Sequence, residues 1–422
     1  MSTLRRARQE VRTGPVGDRR ALARCVAEPD GLPAAWGMRP LLSTAAELPR
    51  PFDDLLDLDA IDELLSRRGL RTPFVRLAKD GEVVDSARFT RSGGVGAAIG
   101  DQVDDTAVTR LFADGTTIVL QALHRLWPPV IDFAGALTGE LGHPVQVNAY
   151  VTPPSSRGFS AHYDVHDVFV LQLAGEKRWI VHDPVHAWPL RTQPWTRRRT
   201  AVERAVMGSA PVLDAVLKPG DALYLPRGFL HAAEALGAVS AHLTVGIHVV
   251  TRYALVEALL AEAAELPELR RALPVGLDLT DAEALDDELG ETIGALVSGL
   301  RDARPAAVAA RLHETLAGAI RPSPIAPLAQ IAASERVDSE TRIALRHGLE
   351  VGLDVSNGAA TLRHPGGAVE IDAGAGAAVA ALLEGGVRAV GSLPGEEATV
   401  LALVRRLLVD GIVVPAAEPD TP

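Results

Sequence analysis

Between residues 145 and 250 the chain is cut into short β-type runs by glycine and proline, and this spacing restricts the fold more than any other feature. The runs are VQVNAYVTP, DVFVLQLAG, KRWIVHD, DALYLPRG, HAAEAL and AHLTVGIHVV. Strands this short and this close leave no room for the crossover helices of a parallel sheet. They predict a sandwich or barrel. AGEK, between the second and third runs, reads as a hairpin turn.

The flanks read differently. Residues 1–30 are polar and read as frayed or loosely helical. DDLLDLDAIDELLSRRG places Leu and Ile at helical spacing and ends in Gly69, a C-cap residue type; TPFVRLAKDGEVV then reads as a strand. FADGTTIVLQALHRLWPPVIDFAGALTGELG reads as strand, turn and helix, with Pro128 and Pro129 at the helix N-terminus. After 252 the pattern becomes Ala/Leu-rich and helical, and Pro305, Pro322, Pro324 and Pro327 punctuate it, with a hinge near 321–327. The last part reads as a small α/β module of winged-helix type: AATLRHPGGAVEID as a hairpin, then helices at GAAVAALLEG and EEATVLALVRRLLVDG.

At 422 residues two or three domains are expected. The net charge of −12 argues against a nucleic-acid binder, and an acidic surface favours a basic partner if any. Cys25 is the single cysteine, so neither an internal disulfide nor a thiolate cluster is available. The charged N-terminus has no signal-peptide core and no window is apolar enough for a membrane span, so a cytoplasmic protein is expected.

The chemistry concentrates in His162-Tyr163-Asp164. At a strand or strand end, residues i and i+2 face one side, so both side chains can converge on one metal ion. The run from Gly220 to His231 has the spacing G-x5-P-x-G-x2-H, the second signature of cupin-type jelly-rolls, and its Pro226–Gly228 turn delivers His231 as a third ligand. Two imidazoles and one carboxylate leave coordination positions open, the ligand set of non-haem Fe(II) oxygenases rather than of structural zinc. The position where three-His-one-Glu cupins carry a glutamate, seven residues before Gly175, is Val168.

Lys177 follows His162 by fifteen residues. A lysine projecting into an apolar barrel needs an anionic partner, and the far carboxylate of 2-oxoglutarate would serve. Thr244 could add a hydroxyl to the same carboxylate, while Asn148 and Tyr150 alternate onto one strand face; each is equally readable as an ordinary strand polar residue. His166 reads as a solvent histidine at the pocket mouth, and His124, His182, His186, His242 and His248 show no metal-ligand spacing.

NAYVTPPSSRGFSAHYDVHDVFVLQLAGEKRW, with LPRGFLHAAEA downstream, resembles the JmjC-type ribosomal oxygenases of the cupin-4 group, strongly over about 110–250 and more faintly at AAWGMRPLL. The resemblance implies an α+β chain: a flexible segment 1–30, a JmjC/cupin double-stranded β-helix over 31–252, a helical dimerisation domain over 253–325 and a winged-helix-like domain over 326–422. It implies Fe(II) held by His162, Asp164 and His231, with 2-oxoglutarate held by Lys177 and Thr244 and with Asn148 and Tyr150 in the same pocket. O2 is the oxidant. The implied reaction is hydroxylation of an arginine or histidine in a ribosomal protein, large-subunit ribosomal protein sixteen for the bacterial type; the alternative is a small molecule or biosynthetic peptide. A homodimer without direct DNA binding is implied, since helices such as EEATVLALVRRLLVDG are not notably basic. Gly246 departs from relatives that carry a hydroxyl residue there, and 154–157 and 182–200 are too divergent to define a peptide groove.

Overall fold

The structure is a computed structural model. It describes residues 3–5 and 20–416, apart from 80, 155, 157–159, 319, 350, 357–358, 365–366 and 373. The chain divides into two compact units, residues 10–249 and residues 1–9 with 250–422.

The first unit is built on a nine-stranded antiparallel sheet: β1 (Leu41–Ser43), β2 (Val75–Lys79), β3 (Glu82–Val83), β4 (Thr117–Leu120), β5 (Val145–Thr152), β6 (Asp167–His182), β7 (Leu213–Leu217), β8 (Ala222–Leu225) and β9 (Leu230–Ile247). Its order is β1-β8-β6-β9-β5-β4-β2-β3, and β7 pairs with β6 off that path. Side chains alternate along the strands, so two separate apolar layers form. Val168, Val170, Trp179, Val181, Leu217, Leu223, Leu225 and Phe229 cluster on one face. Phe169, Leu171, Tyr224, Leu243 and Val245 face the other way, into a larger core shared with the helices.

Two expected turns are not turns. AGEK lies inside the continuous strand β6, and HAAEAL and AHLTVGIHVV are halves of β9. Leu236 pairs with Glu176 and Ala241 with Ala174, so the extra residues of β9 bulge out opposite Gly175. Gly175 sits at φ +61°, and a Cβ there would come within 2.1 Å of the Val239 carbonyl oxygen. The Gln172 side-chain amide staples this bend, donating to the carbonyls of Ala174 (2.9 Å) and Gly175 (3.0 Å) and to Ser240 Oγ (2.9 Å).

The flanking helices have readable causes. Leu58–Arg67 begins where the Asp57 carboxylate accepts from the Ala60 amide (2.7 Å), and Gly69 follows it at φ +60°. Pro128–Leu141 starts on its prolines and buries Val130, Phe133, Ala134 and Leu137, a helical stripe. Against this helix residues 20–30 are packed rather than frayed, and they include the short helical turns Leu22–Arg24 and Pro29–Gly31. Leu22, Cys25 and Val26 are buried in the core, and the amides of Ala21 and Leu22 donate to the Glu140 carboxylate (3.0 and 2.7 Å). Residues 1–2 and 6–19 lie outside the described residues.

The second unit opens with helices Arg252–Ala263, Pro267–Arg270, Asp286–Arg301 and Pro305–Ala317. After Pro327–Arg336 come strands Gly352–Ser356, Ala359–His364 and Gly367–Ile371, which Thr3–Arg5 extends into a four-stranded sheet, and a three-stranded sheet built around Arg342–Leu345. Helices Gly376–Leu383 and Glu397–Val409 close a core containing Ile343, Leu362, Val379, Val404 and Leu408.

Candidate metal centre

His162 precedes β6 and His231 opens β9, and the two backbones exchange hydrogen bonds: the His231 amide donates to the His162 carbonyl (2.8 Å) and the His162 amide to the His231 carbonyl (3.2 Å). This bridge sets the two imidazoles side by side, with ring centroids 4.4 Å apart. Asp164 is fixed through its carbonyl, which accepts from the Gly228 amide (3.0 Å). Gly228 itself is at φ +91°, where a Cβ would lie 2.8 Å from the His186 carbonyl oxygen, so glycine is required at this turn. The ligand atoms of His162, Asp164 and His231 all lie within 4.8 Å of one another, and His231 Nε2 is 3.7 Å from Asp164 Oδ2.

Both histidines are oriented through Nδ1. His162 Nδ1 lies 2.7 Å from the Ser160 carbonyl and His231 Nδ1 lies 3.1 Å from the Phe229 carbonyl. A carbonyl only accepts, so each Nδ1 carries a hydrogen, and Nε2 is the ring nitrogen left to face an ion. Burial and the neighbouring His162 push His231 down to about 4, so its ring is neutral near pH 7. Burial pushes the Asp164 carboxyl up, but the charges of His166, His231 and His162 outweigh it and hold it below the ordinary value. A neutral His231 ring beside a carboxyl held low suits a divalent cation.

Behind the triad the interior is apolar apart from a few polar groups. Lys177 on β6 is 3% exposed, its Nζ donates to Thr152 Oγ1 (3.1 Å), and burial pulls its pKa down to about 7. Among the described residues no carboxylate pairs with it. Tyr150 on β5 is hydrogen-bonded to Arg76, and burial with the Asp164 charge pushes its phenol up to about 12. Asn148 accepts from the amide of Ala122 (3.0 Å), a residue held at φ +56°, so it braces the loop before Pro128–Leu141. Thr244 is half-buried on β9, in register between Asn148 and Val170.

Three features were missed by sequence reasoning. Thr152 partners Lys177. Trp179 lies 6.0 Å from the His231 ring and 5.6 Å from the His242 ring, edge-on to the latter. His242, 3% exposed, also stacks on Tyr150 at 5.2 Å. Alternation alone puts Thr152 on the Tyr150 face and His242 on the Thr244 face. His166 is half-buried rather than solvated, 3.5 Å from Gln146 Nε2 and edge-on to His248 at 5.7 Å. Both Gln146 and His166 press on Gly246, where a Cβ would meet them at 3.2–3.3 Å. The divergent segment after β6 places Trp195 with its ring 6.1 Å from that of His162, and Arg199 lies over that indole at 4.9 Å. His182 and His186 bond to Ser209 and Gln193, while His124 accepts from the Val147 amide; none joins the triad.

Residues 134–255 match the family model described as a JmjC domain. Ribosomal oxygenase 1 of Rattus norvegicus is 37% identical over 178 residues, which cover 40% of this chain and 29% of that protein. The Homo sapiens protein of that name is 35% identical over 185 residues, covering 40% and 27%. A bifunctional lysine-specific demethylase and histidyl-hydroxylase of Aedes aegypti is 39% identical over 137 residues, covering 31% and 21%. The chain thus spans less than a third of the length of these relatives. Among solved structures, YcfD of Escherichia coli superposes with a TM-score of 0.53 at 18% identity, covering 92% of this chain and 97% of that one. YcfD, a ribosomal oxygenase, in complex with cobalt and 2-oxoglutarate gives a TM-score of 0.50 at 18% identity, with the same coverage. At this identity the likeness speaks for a shared fold.

Proposed function

We propose that this chain, whose residues 134–255 are a JmjC domain related to that of the ribosomal oxygenases, is an Fe(II)- and 2-oxoglutarate-dependent oxygenase that hydroxylates a side chain of a ribosomal protein. The observation that carries the reading is the convergence of His162, Asp164 and His231 at the mouth of a barrel whose interior holds a buried lysine without an acidic partner among the described residues.

The donor set fits the metal: both imidazoles are held by backbone carbonyls with Nε2 as the ligand nitrogen, and the carboxylate is ionised. Fe(II) bound there, with 2-oxoglutarate and O2, would supply the oxidising chemistry of C–H hydroxylation. The chain supplies the rest. His162, Asp164 and His231 hold one face of the ion and leave the other open to ligands. Lys177, with Thr244 alongside, holds the far carboxylate of 2-oxoglutarate; Asn148 and Tyr150 line the same pocket. The cluster of Val168, Val170, Val181, Leu223 and Phe229 keeps water out.

The target we favour is an arginine or histidine, with large-subunit ribosomal protein sixteen as the first substrate to test. We place this work in the cytoplasm; among the described residues no helix is long and apolar enough to cross a membrane. The helices from Arg252 to Ala317 serve dimerisation in this reading. Among the described residues they bury only Ala258 and Ala263 while Leu255, Val256, Leu260, Leu289, Ile293 and Val297 stay exposed, an apolar surface suited to a second copy. The module after 326 is read as winged-helix-like without a DNA-binding role. The direct test is 2-oxoglutarate turnover with Fe(II) and ribosomal-protein peptides, wild type against His162→Ala. Succinate formation coupled to a one-oxygen mass gain, lost in the variant, is the expected result; no such gain on any ribosomal protein would refute the substrate.

A further inference from the structure

Among the buried side-chain atoms that have no hydrogen-bond partner in the described residues are two aromatic-ring nitrogens behind the triad. His242 Nδ1 and Trp179 Nε1 are both buried, and neither has a hydrogen-bond partner among the described residues. A buried polar group left without a partner costs roughly 1–3 kcal/mol, so native interiors rarely keep one without reason. Here two lie together, with the Trp179 ring edge-on to His242 at 5.6 Å.

Their position is specific. His242 stands opposite Tyr150 in the β9–β5 register and stacks on it at 5.2 Å, while Ser240 stands opposite Thr152 two residues along. Thr152 is the residue that holds the Lys177 ammonium. His242 therefore occupies the row next to the buried lysine, close enough for the lysine's charge to act on its ring. Burial, reinforced by that charge, keeps the imidazole well below its ordinary pKa, so it is neutral and carries one N–H. A neutral imidazole wedged between an indole and a phenol is rotationally fixed and offers that hydrogen in one direction.

We propose that His242 is a second anchor for the anionic group that Lys177 receives, donating a ring N–H to the far carboxylate of the 2-oxo acid. This inference rests on the cosubstrate reading given above and adds to it a residue whose spacing gave no metal role. Lysine supplies charge and histidine supplies direction: an ammonium on a four-carbon stem accepts many carboxylate poses, whereas a clamped ring accepts few. Selection for a five-carbon dicarboxylate over a monocarboxylate of equal length follows from this pair.

The test compares two ligands on the full-length Mn(II)-loaded protein by calorimetry: 2-oxoglutarate, and 2-oxopentanoate, which keeps the keto-acid end but lacks the far carboxylate. His242→Phe keeps a ring to stack on Tyr150 and removes the donor. It should weaken 2-oxoglutarate binding roughly 10- to 100-fold, the range for a hydrogen bond to a charged group, and leave 2-oxopentanoate unchanged. His242→Gln, which restores an N–H, should fall between. The ligand-free His242→Phe protein should melt no lower than wild type, because it loses an unsatisfied group. Equal 2-oxoglutarate affinity in His242→Phe overturns the proposal. So does equal weakening of both ligands, or a lowered ligand-free melting temperature, either of which would mark a merely structural ring. If the wild type shows no saturable 2-oxoglutarate binding, the cosubstrate reading falls together with it.

Discussion

Replacing Lys177 with methionine should make the ligand-free protein more stable, by an amount that shrinks as pH rises. The side chain is 3% exposed, its only described hydrogen-bond partner is the Thr152 hydroxyl, and burial lowers its pKa from 10.5 to about 7. An unfolded chain binds the proton with the ordinary affinity and the folded chain binds it poorly. Folding is therefore penalised fully below pH 7, and the penalty fades as pH climbs toward 10.5. At about 1.4 kcal/mol per pH unit of difference, the penalty is roughly 4 kcal/mol at pH 7 and roughly 2 kcal/mol at pH 9. Methionine has nearly the same length and carries no charge, so it removes the penalty while filling the space. Urea unfolding of both proteins at pH 7 and pH 9 reads the difference directly. The variant should lead at pH 7 and lose about half of its lead by pH 9. The same variant should lose 2-oxoglutarate binding, since the attraction between lysine and carboxylate at about 4 Å and an effective dielectric near 20 is about 4 kcal/mol. A variant less stable than wild type, or a gap independent of pH, would show that Lys177 is satisfied within the fold and refute the reasoning.

Because a bound dianion restores the lysine's charge, 2-oxoglutarate binding should take up close to one proton at pH 8.5 and little at pH 6; calorimetry in buffers of different ionisation enthalpy measures this. Asp164→Ala removes the one carboxylate of the triad and should weaken Mn(II) binding at least about 100-fold by electron paramagnetic resonance titration, while circular dichroism stays unchanged. Gly175→Ala drives a methyl group into the Val239 carbonyl at a left-handed position, so a loss of about 3 kcal/mol or more is expected in urea unfolding. Asp167, fully buried, accepts from Tyr224 Oη (2.5 Å) and from Arg227; Asp167→Ala should cost about 3–5 kcal/mol by leaving that guanidinium uncompensated, whereas Asp167→Asn should cost less.

The triad was legible because each of its determinants is local. Strand alternation couples His162 to Asp164, and the Pro226–Gly228 turn fixes where His231 emerges. The helices were legible for the same reason, through the cap glycine Gly69 and prolines such as Pro128. AGEK was misread because glycine at positive φ serves both a hairpin turn and a bulge. Only the approach of Val239 from another strand decides between them, and Val239 lies over sixty residues downstream. Residues 20–30 were misread because charged neighbours dilute Ala21, Leu22, Cys25 and Val26 in any composition window, while the helix that receives them starts at Pro128.

His242 shows the deeper limit. No spacing along β9 distinguishes it from a structural histidine, and its significance comes from what two neighbouring strands bring around it: Trp179 and Lys177 from β6, Tyr150 and Thr152 from β5. Metal ligands must converge on a point, so motifs betray them. Residues that recognise the far end of a ligand need only share a cavity, and their partners are unpaired until the ligand arrives. Among the described residues Lys177 has no acid and His242 and Trp179 have no hydrogen-bond partners, a cost in the free protein that the proposed carboxylate would return. The groups without partners among the described residues are thus the most informative part of this interior, because they are what the proposed cosubstrate end would have to satisfy.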